Sequence, residues 1–225
     1  MQRTILKTAD NSNTIYFKEL DETFHSVNGA LLESIHVFIH AGFDEIIKTK
    51  NQINIFEVGF GTGLNAILTL IESVENKVAI SYVGIDAFPL EKKLVDELRY
   101  KNLFEEKYHP FLDKILDEKW NEHILINENF TLKKVATKLE DYVFESKFDL
   151  IYFDAFAPDK QPELWTEEIF KRIFENMNNE GILVTYSAKG EVRRSFQRAG
   201  FTVERLPGPK GKREMLRAKK WKMEN

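Results

Sequence analysis

The 225-residue chain contains no cysteine, which removes disulfide frameworks and thiolate metal sites and gives no support to a secreted setting. No apolar run approaches the roughly 18 residues of a membrane-spanning helix. The opening MQRTILKTADNSNTIYF lacks the apolar stretch of a signal peptide. A cytoplasmic location with no membrane partner is the expectation. No internal repeat, low-complexity tract or Pro/Gly/Ser-rich linker divides the chain. What is present is 43% hydrophobic and 30% charged residues, enough to bury a full core in one larger domain with at most a small appendage.

Charge is distributed unevenly. The formal net charge is −4, yet residues 205–222 hold eight basic side chains (Arg205, Lys210, Lys212, Arg213, Arg217, Lys219, Lys220, Lys222) against one acid, Glu214. An acidic body with a basic end suits a polyanionic partner there, while a merely solvated tail accounts for the same pattern.

Runs rich in β-branched and aromatic residues recur as INIFEVG (53–59), AISYVGID (79–86), FDLIYFDAF (148–156), GILVTYS (181–187) and FTVERL (201–206). Helical stripes lie between several of them: Leu64, Ile67, Leu68 and Ile71 on one, Trp165, Ile169, Ile173 and Met177 on another. Alternating strands and helices predict an α/β fold with a parallel sheet covered on both faces. FTVERL, PGPKGK and REMLRA read as a terminal hairpin adding an antiparallel strand, and HILINENFTLKKV (123–135) as a second hairpin. Residues 1–50 read as a small extension with short strands and a first helix after Asn28 and Gly29, packed on a main domain of residues 51–225.

FEVGFGTGLN (56–65) follows the first of the main-domain runs. In an open parallel sheet the first strand-to-helix turn must bring backbone close to a nucleotide-like ligand, and glycine allows both turn and approach. The spacing is G-x-G-x-G rather than the dinucleotide G-x-G-x-x-G, and no Lys-Ser/Thr follows, which excludes a phosphate-gripping P-loop. Glu57 precedes the glycines. Asp86 ends the next strand 23 residues beyond Gly63, where a carboxylate can accept bonds from both ribose hydroxyls. An acidic loop suits a cationic ligand without phosphates, and S-adenosylmethionine fits. The competing reading is a tight turn serving helix packing alone.

FDLIYFDAFAPDKQPELW (148–165) ends a strand in Asp154 and places Phe156 and Pro158 in a loop at the same sheet edge. A carboxylate there can draw in and orient an alkylammonium, with a backbone carbonyl of the loop beside it. Such an amine resembles lysine, pKa ~10.4, and must lose a proton before it can attack carbon. Phe156 offers a ring for stacking or for holding a cation, or else belongs to the core.

FEVGFGTGLN, DAFAP-K-P--W, SVNGALLESIHVF (26–38) and VRRSFQRAGF with GKREML together resemble the tRNA 5-aminomethyl-2-thiouridine methyltransferases, which occur as the N-terminal half of bifunctional MnmC proteins and as stand-alone enzymes. The resemblance implies a class I S-adenosylmethionine-dependent methyltransferase fold: Rossmann-like, with a mostly parallel seven-stranded sheet, one antiparallel terminal strand, and a small N-terminal β/α extension. It implies methyl transfer to the amine of 5-aminomethyl-2-thiouridine at the tRNA wobble position, with the anticodon stem-loop as partner and no obligate protein partner. By motif match Glu57, Gly59, Gly61, Gly63, Asn65 and Asp86 would hold the cofactor, and Asp154, Phe156 and Pro158 would form the target pocket. Lys160, Arg193, Arg194, Lys212 and Arg213 fall in matching stretches and are assigned to RNA on charge. The flavin-dependent oxidase half of the bifunctional members has no counterpart before Asn225, so no FAD is expected. Where the family often shows Gly-Asp after the third strand, this chain reads Ala136, Thr137 and Lys138.

Other constellations are weaker. His36 and His40 have the i, i+4 spacing of a metal pair, but Val37 stands where a zinc protease places Glu, and no metal is expected. Ser187 has no His and Asp partners to make a hydrolase triad. Two alternatives remain: transfer of a methyl or aminopropyl group to a small amine, and a catalytically silent RNA-binding module.

Overall fold

The computed structural model describes residues 3–19, 21–117 and 119–221. Strands β1 (Arg3–Lys7), β2 (Asn13–Phe17) and β3 (Glu22–Thr23) form an antiparallel sheet of their own. Helix α1 (Ala30–Ser34) continues as a π-helical stretch, Ile35–Phe43, and closes in α2 (Asp44–Ile46). Gly29 precedes α1 and has no side chain to cap it. Asp10, from the β1–β2 turn, supplies the acceptor instead, taking the Leu32 amide at 2.9 Å, and is itself held by the Thr8 and Ser12 hydroxyls, both at 2.6 Å.

The main sheet runs β10-β11-β9-β8-β4-β5-β7-β6. Its strands are β4 (Gln52–Val58), β5 (Ala79–Asp86), β6 (His123–Asn127), β7 (Phe130–Ala136), β8 (Phe148–Phe153), β9 (Met177–Thr185), β10 (Thr202–Pro207) and β11 (Glu214–Lys219). Parallel pairing joins β4 to β5 and β8, β5 to β7, and β8 to β9. β11 inserts between β9 and β10, antiparallel to both. The expected seven strands are eight among the described residues, because the 123–135 hairpin contributes both arms: β6 pairs antiparallel along the outer side of β7. The sheet therefore carries two antiparallel strands, not one. β1 was also not anticipated, its Arg3–Lys7 run being too short and too mixed to stand out.

Period-two alternation divides the core into two layers. Ile53 and Ile55 of β4, with Leu150 and Tyr152 of β8, face the π-helical stretch and α3 (Leu64–Asn76). Helices α4 (Lys92–Glu97) and α5 (His109–Ile115) lie between β5 and β6, and Phe56, Val58, Ile151 and Phe153 face α6 (Glu167–Glu175) and α7 (Gly190–Arg198). Each buried side chain of this size contributes ~1.5–3 kcal/mol relative to exposure. The α3 stripe is as read, with Leu64, Ile67 and Leu68 buried and Ile71 packed against them. The second stripe is cut at both ends: Thr166 caps α6 through the Ile169 amide, so Trp165 lies before the helix and Met177 starts β9.

Candidate active site

Parity places the acids. Glu57 lies on the Ile53/Ile55 face of β4, and Asp154, two residues past Tyr152, lies on the same face of the chain leaving β8. Asn65, in the first turn of α3, reaches both: its Nδ2 donates to Glu57 Oε1 at 2.8 Å and to Asp154 Oδ2 at 2.9 Å. Its Oδ1 is buried and accepts no hydrogen bond among the described residues. Tyr82 of β5 donates to the other oxygen of Glu57 at 2.9 Å. Glu57 is 0% exposed, and burial holds its carboxyl well above the usual range against the pull of Asn65 and Tyr82. Burial pushes Asp154 up to about 7, opposed by the Asn65 bond.

The glycine turn is shaped for close approach. A Cβ on Gly59, whose φ is +87°, would lie 2.5 Å from the Asp154 carbonyl oxygen, and the loop could not run beside the end of β8 with any larger residue there. Asp86 closes the other side of the turn, accepting the Gly61 amide through one oxygen and the Phe88 amide through the other, both at 2.8 Å. Burial raises its pKa, while those two amides and Arg3 lower it.

The loop after β8 is pinned by its own carbonyls. Tyr186 donates to Ala155 O at 2.8 Å, Trp165 Nε1 to Phe156 O at 2.8 Å, and the amides of Lys160 and Gln161 to Ala157 O at 2.7 and 3.0 Å. The backbone carbonyls expected to meet a substrate amine are thus already engaged inside the protein. The Asp154 carboxylate, held by Asn65 through one oxygen, lies on the wall of the same cavity.

A cavity of about 760 Å³ gathers these groups, within the range of small-molecule sites. Gly59, Gly61, Asn65, Asp86, Asp154, Phe156, Lys160 and Lys212 line it. Glu57 does not: it stands behind Asn65, fully enclosed. Gly63 packs toward Leu116 and Phe60, Pro158 is buried within the loop and does not line the cavity, and neither do Arg193, Arg194 and Arg213. Lys212, expected on a free basic surface, turns inward to an ion pair with Glu33 at 2.7 Å.

The rest of the basic end is largely neutralised. Arg205 pairs with Glu214, while Arg217 and Lys219 pair with Glu204 and Glu45. Lys220 is buried on the carbonyls of Phe174 and Met177. Among the described residues Lys210 and Arg213 remain exposed without an ion pair; Lys222 lies outside the described residues.

Sequence reasoning missed the contribution of the N-terminal segment. Phe17 and Phe24 lie edge-on or tilted to Phe156, with centroids 5.7 and 5.5 Å away, and the Phe24 ring covers Gly61. His25 is buried against Thr14 at 3.2 Å, and burial lowers its pKa to about 4, leaving it neutral near pH 7. Glu33 and Arg3 also reach the cavity wall. Only Glu33 gave a signal, as a member of SVNGALLESIHVF.

The cavity suits S-adenosylmethionine. A turn with room only for glycine hydrogens, an orphaned acceptor on Asn65 between two carboxylates, and Asp86 at the next strand end form an acidic, glycine-floored cradle matching a cation that bears a ribose. The family model described as S-adenosyl-L-methionine-dependent methyltransferase matches residues 101–221. The chain belongs to that family.

The methyltransferase chain is similar to the tRNA 5-methylaminomethyl-2-thiouridine biosynthesis bifunctional protein MnmC of Campylobacter hominis, 33% identical over 214 residues, an alignment covering 92% of this chain and 31% of the relative. It spans about a third of the length of the curated relatives it matches. Among solved structures, MNMC2 from Aquifex aeolicus superposes with a TM-score of 0.74 at 27% identity, covering 99% of this chain and 73% of that one. Spermidine synthase from Thermotoga maritima, with a TM-score of 0.58, 14% identity and coverage of 97% and 69%, shares the fold alone. The resemblance read from the motifs is borne out at the level of family and fold. Among the described residues no helix is long and apolar enough to cross a membrane, and no group of three or more His, Asp or Glu could hold a metal. His36 bonds the Pro207 carbonyl at 2.8 Å rather than pairing with His40.

Proposed function

We propose that this methyltransferase transfers a methyl group from S-adenosylmethionine to the primary amine of 5-aminomethyl-2-thiouridine at the tRNA wobble position, giving 5-methylaminomethyl-2-thiouridine. The observation that carries the reading is the Asp154 carboxylate, fixed by Asn65 at the wall of the cavity that also contains the glycine turn and Asp86. The names of the MnmC relatives supply the substrate class.

Gly59, Gly61, Asn65 and Asp86 would hold the cofactor, which supplies an electrophilic methyl group on a sulfonium for in-line displacement. The protein's part is to align the amine and remove its proton. An alkylammonium of pKa ~10 has no lone pair at neutral pH. Asp154, ionised, attracts the ammonium, hydrogen-bonds one N–H and takes the proton as the nitrogen turns its lone pair to the methyl carbon. Asn65 keeps Oδ2 in place, so the other oxygen is the one directed at the amine. Phe156, with Phe17 and Phe24, provides apolar faces that exclude water and receive a pyrimidine ring. Lys210, Arg213, Arg193, Arg194 and Lys160 are assigned to the anticodon stem-loop on charge.

The test is direct. Protein, S-adenosylmethionine and tRNA bearing the unmethylated amine are incubated, and the released nucleosides are weighed by mass spectrometry. The expected result is the wobble nucleoside heavier by one methyl substitution. Unchanged tRNA, with methyl or aminopropyl transfer to a small polyamine instead, would overturn the reading in favour of a small-amine transferase.

A further inference from the structure

The charges around Asp154 come from several elements. Glu57 of β4 is linked to it through Asn65 of α3, and Tyr82 of β5 donates to Glu57. Asp86 ends the neighbouring strand β5. Tyr186, just past β9, is tied to the carbonyl of Ala155. Glu33 of α1 and Lys212 of the β10–β11 turn complete the wall.

The last two are locked together. Lys212 Nζ lies 2.7 Å from Glu33 Oε1 and 3.9 Å from the centroid of the Tyr186 ring, while Glu33 Oε2 accepts the Ser26 amide at 2.8 Å. Exposed ion pairs gain little because both partners wander and water screens them. Here Glu33 is 8% exposed and fixed at both oxygens, and the ammonium rests on a ring whose hydroxyl is anchored beside Asp154. The chain of contacts Lys212, Tyr186, Ala155 connects the pair to the residue adjacent to Asp154.

We propose that the Glu33–Lys212 ion pair, seated on the wall of the cavity that Asp154 lines and tied through Tyr186 to Ala155, is a positioning device that holds an anion and a cation together beside Asp154. This rests on the role given to Asp154 above. Beyond burial and the Asn65 bond, Glu33 and Lys212 pull the Asp154 carboxyl in opposite senses, up and down respectively. Intact, the two act against each other. Broken from either side, it leaves one unopposed charge.

That asymmetry separates an electrostatic role from a structural one, because Glu33→Gln and Lys212→Met destroy the same contact. The probe is the carboxyl carbon of Asp154 in 13C-aspartate-labelled protein without cofactor, assigned as the resonance lost in Asp154→Asn. Lys212→Met is expected to raise its titration midpoint by roughly one pH unit, and Glu33→Gln to lower it by a similar amount. Lys212→Arg, which keeps the cation, is expected to stay near the unsubstituted midpoint. Midpoints that do not move, or that move in the same direction in both variants, overturn the inference. The pH–rate profile of tRNA methylation is then measured on the same proteins. A profile that ignores divergent midpoints overturns the role given to Asp154 in the reaction and leaves the ion-pair assignment standing.

Discussion

At the scale of single residues, the proposed chemistry rests on an acid kept partly against its nature. With Asp154 raised to about 7 by burial, methylation is expected to fall as pH drops through 7, reported by initial rates between pH 5.5 and 9. Asp154→Asn is expected to lower kcat/KM by a factor on the order of 100 or more, while S-adenosylhomocysteine binding by calorimetry changes only a few-fold. Turnover equal to the unsubstituted protein would remove Asp154 from the mechanism. The same burial has a stability cost with a definite sign. A folded-state pKa above the unfolded value means that the contribution of Asp154 to stability is fully present below about 4 and is lost as pH rises to about 7. Asp154→Asn should therefore raise Tm at pH 8, and the gain should shrink toward pH 4. A gain of equal size at both pH values would contradict this.

At the scale of elements, the turn after β4 leaves no room for a side chain at Gly59. Gly59→Ala combines a φ of +87° with a Cβ against the Asp154 carbonyl, backbone that cannot move without separating β4 from β8. It is expected to destabilise by about 1–3 kcal/mol and to weaken S-adenosylhomocysteine binding at least tenfold, read by thermal denaturation and calorimetry. Gly190→Ala in α7, where a Cβ meets only the far end of Arg194, is the matched control and should be near neutral.

Elements of this kind were largely legible in the sequence. Period and apolar density gave β4, β5, β8 and the terminal hairpin, and spacing alone put Asp86 and Asp154 at strand ends. What escaped was non-local. Glu33 and Lys212 are 179 positions apart, and nothing in either neighbourhood announces the other. The basic end misled for the same reason: a run of like charges in sequence becomes a set of pairs once β10 and β11 meet the acids of α2 and of one another. Motif match assigns Glu57 to the cofactor because its position in the motif is visible and its depth is not.

At the scale of the whole molecule, the unpaired positive charge that the described part of the basic end leaves on the surface is smaller than composition suggests, and it lies at Lys210 and Arg213. Lys210→Glu with Arg213→Glu is expected to weaken tRNA binding several-fold and to reduce the slope of log K against log salt by about 1–2. Fluorescence anisotropy from 50 to 300 mM salt reads both, in concentration ranges chosen around the roughly tenfold losses such contacts produce. An unchanged slope would return these side chains to ordinary solvation. The N-terminal sheet belongs to this scale too, since Phe17, Phe24 and His25 make one wall of the cavity although β1–β3 share no hydrogen-bonded edge with the main sheet.

The placement of β11 between β9 and β10 has a bearing on biosynthesis. A ribosome delivers β11 after both of its sheet neighbours, so until residues 214–219 emerge, β9 presents an open flank of unpaired amides and carbonyls. Lys212 leaves the exit tunnel immediately before that strand. A nascent chain therefore gains its protection from mispairing and the cation of its cavity wall at nearly the same moment, and products of premature termination should be both sticky and inert.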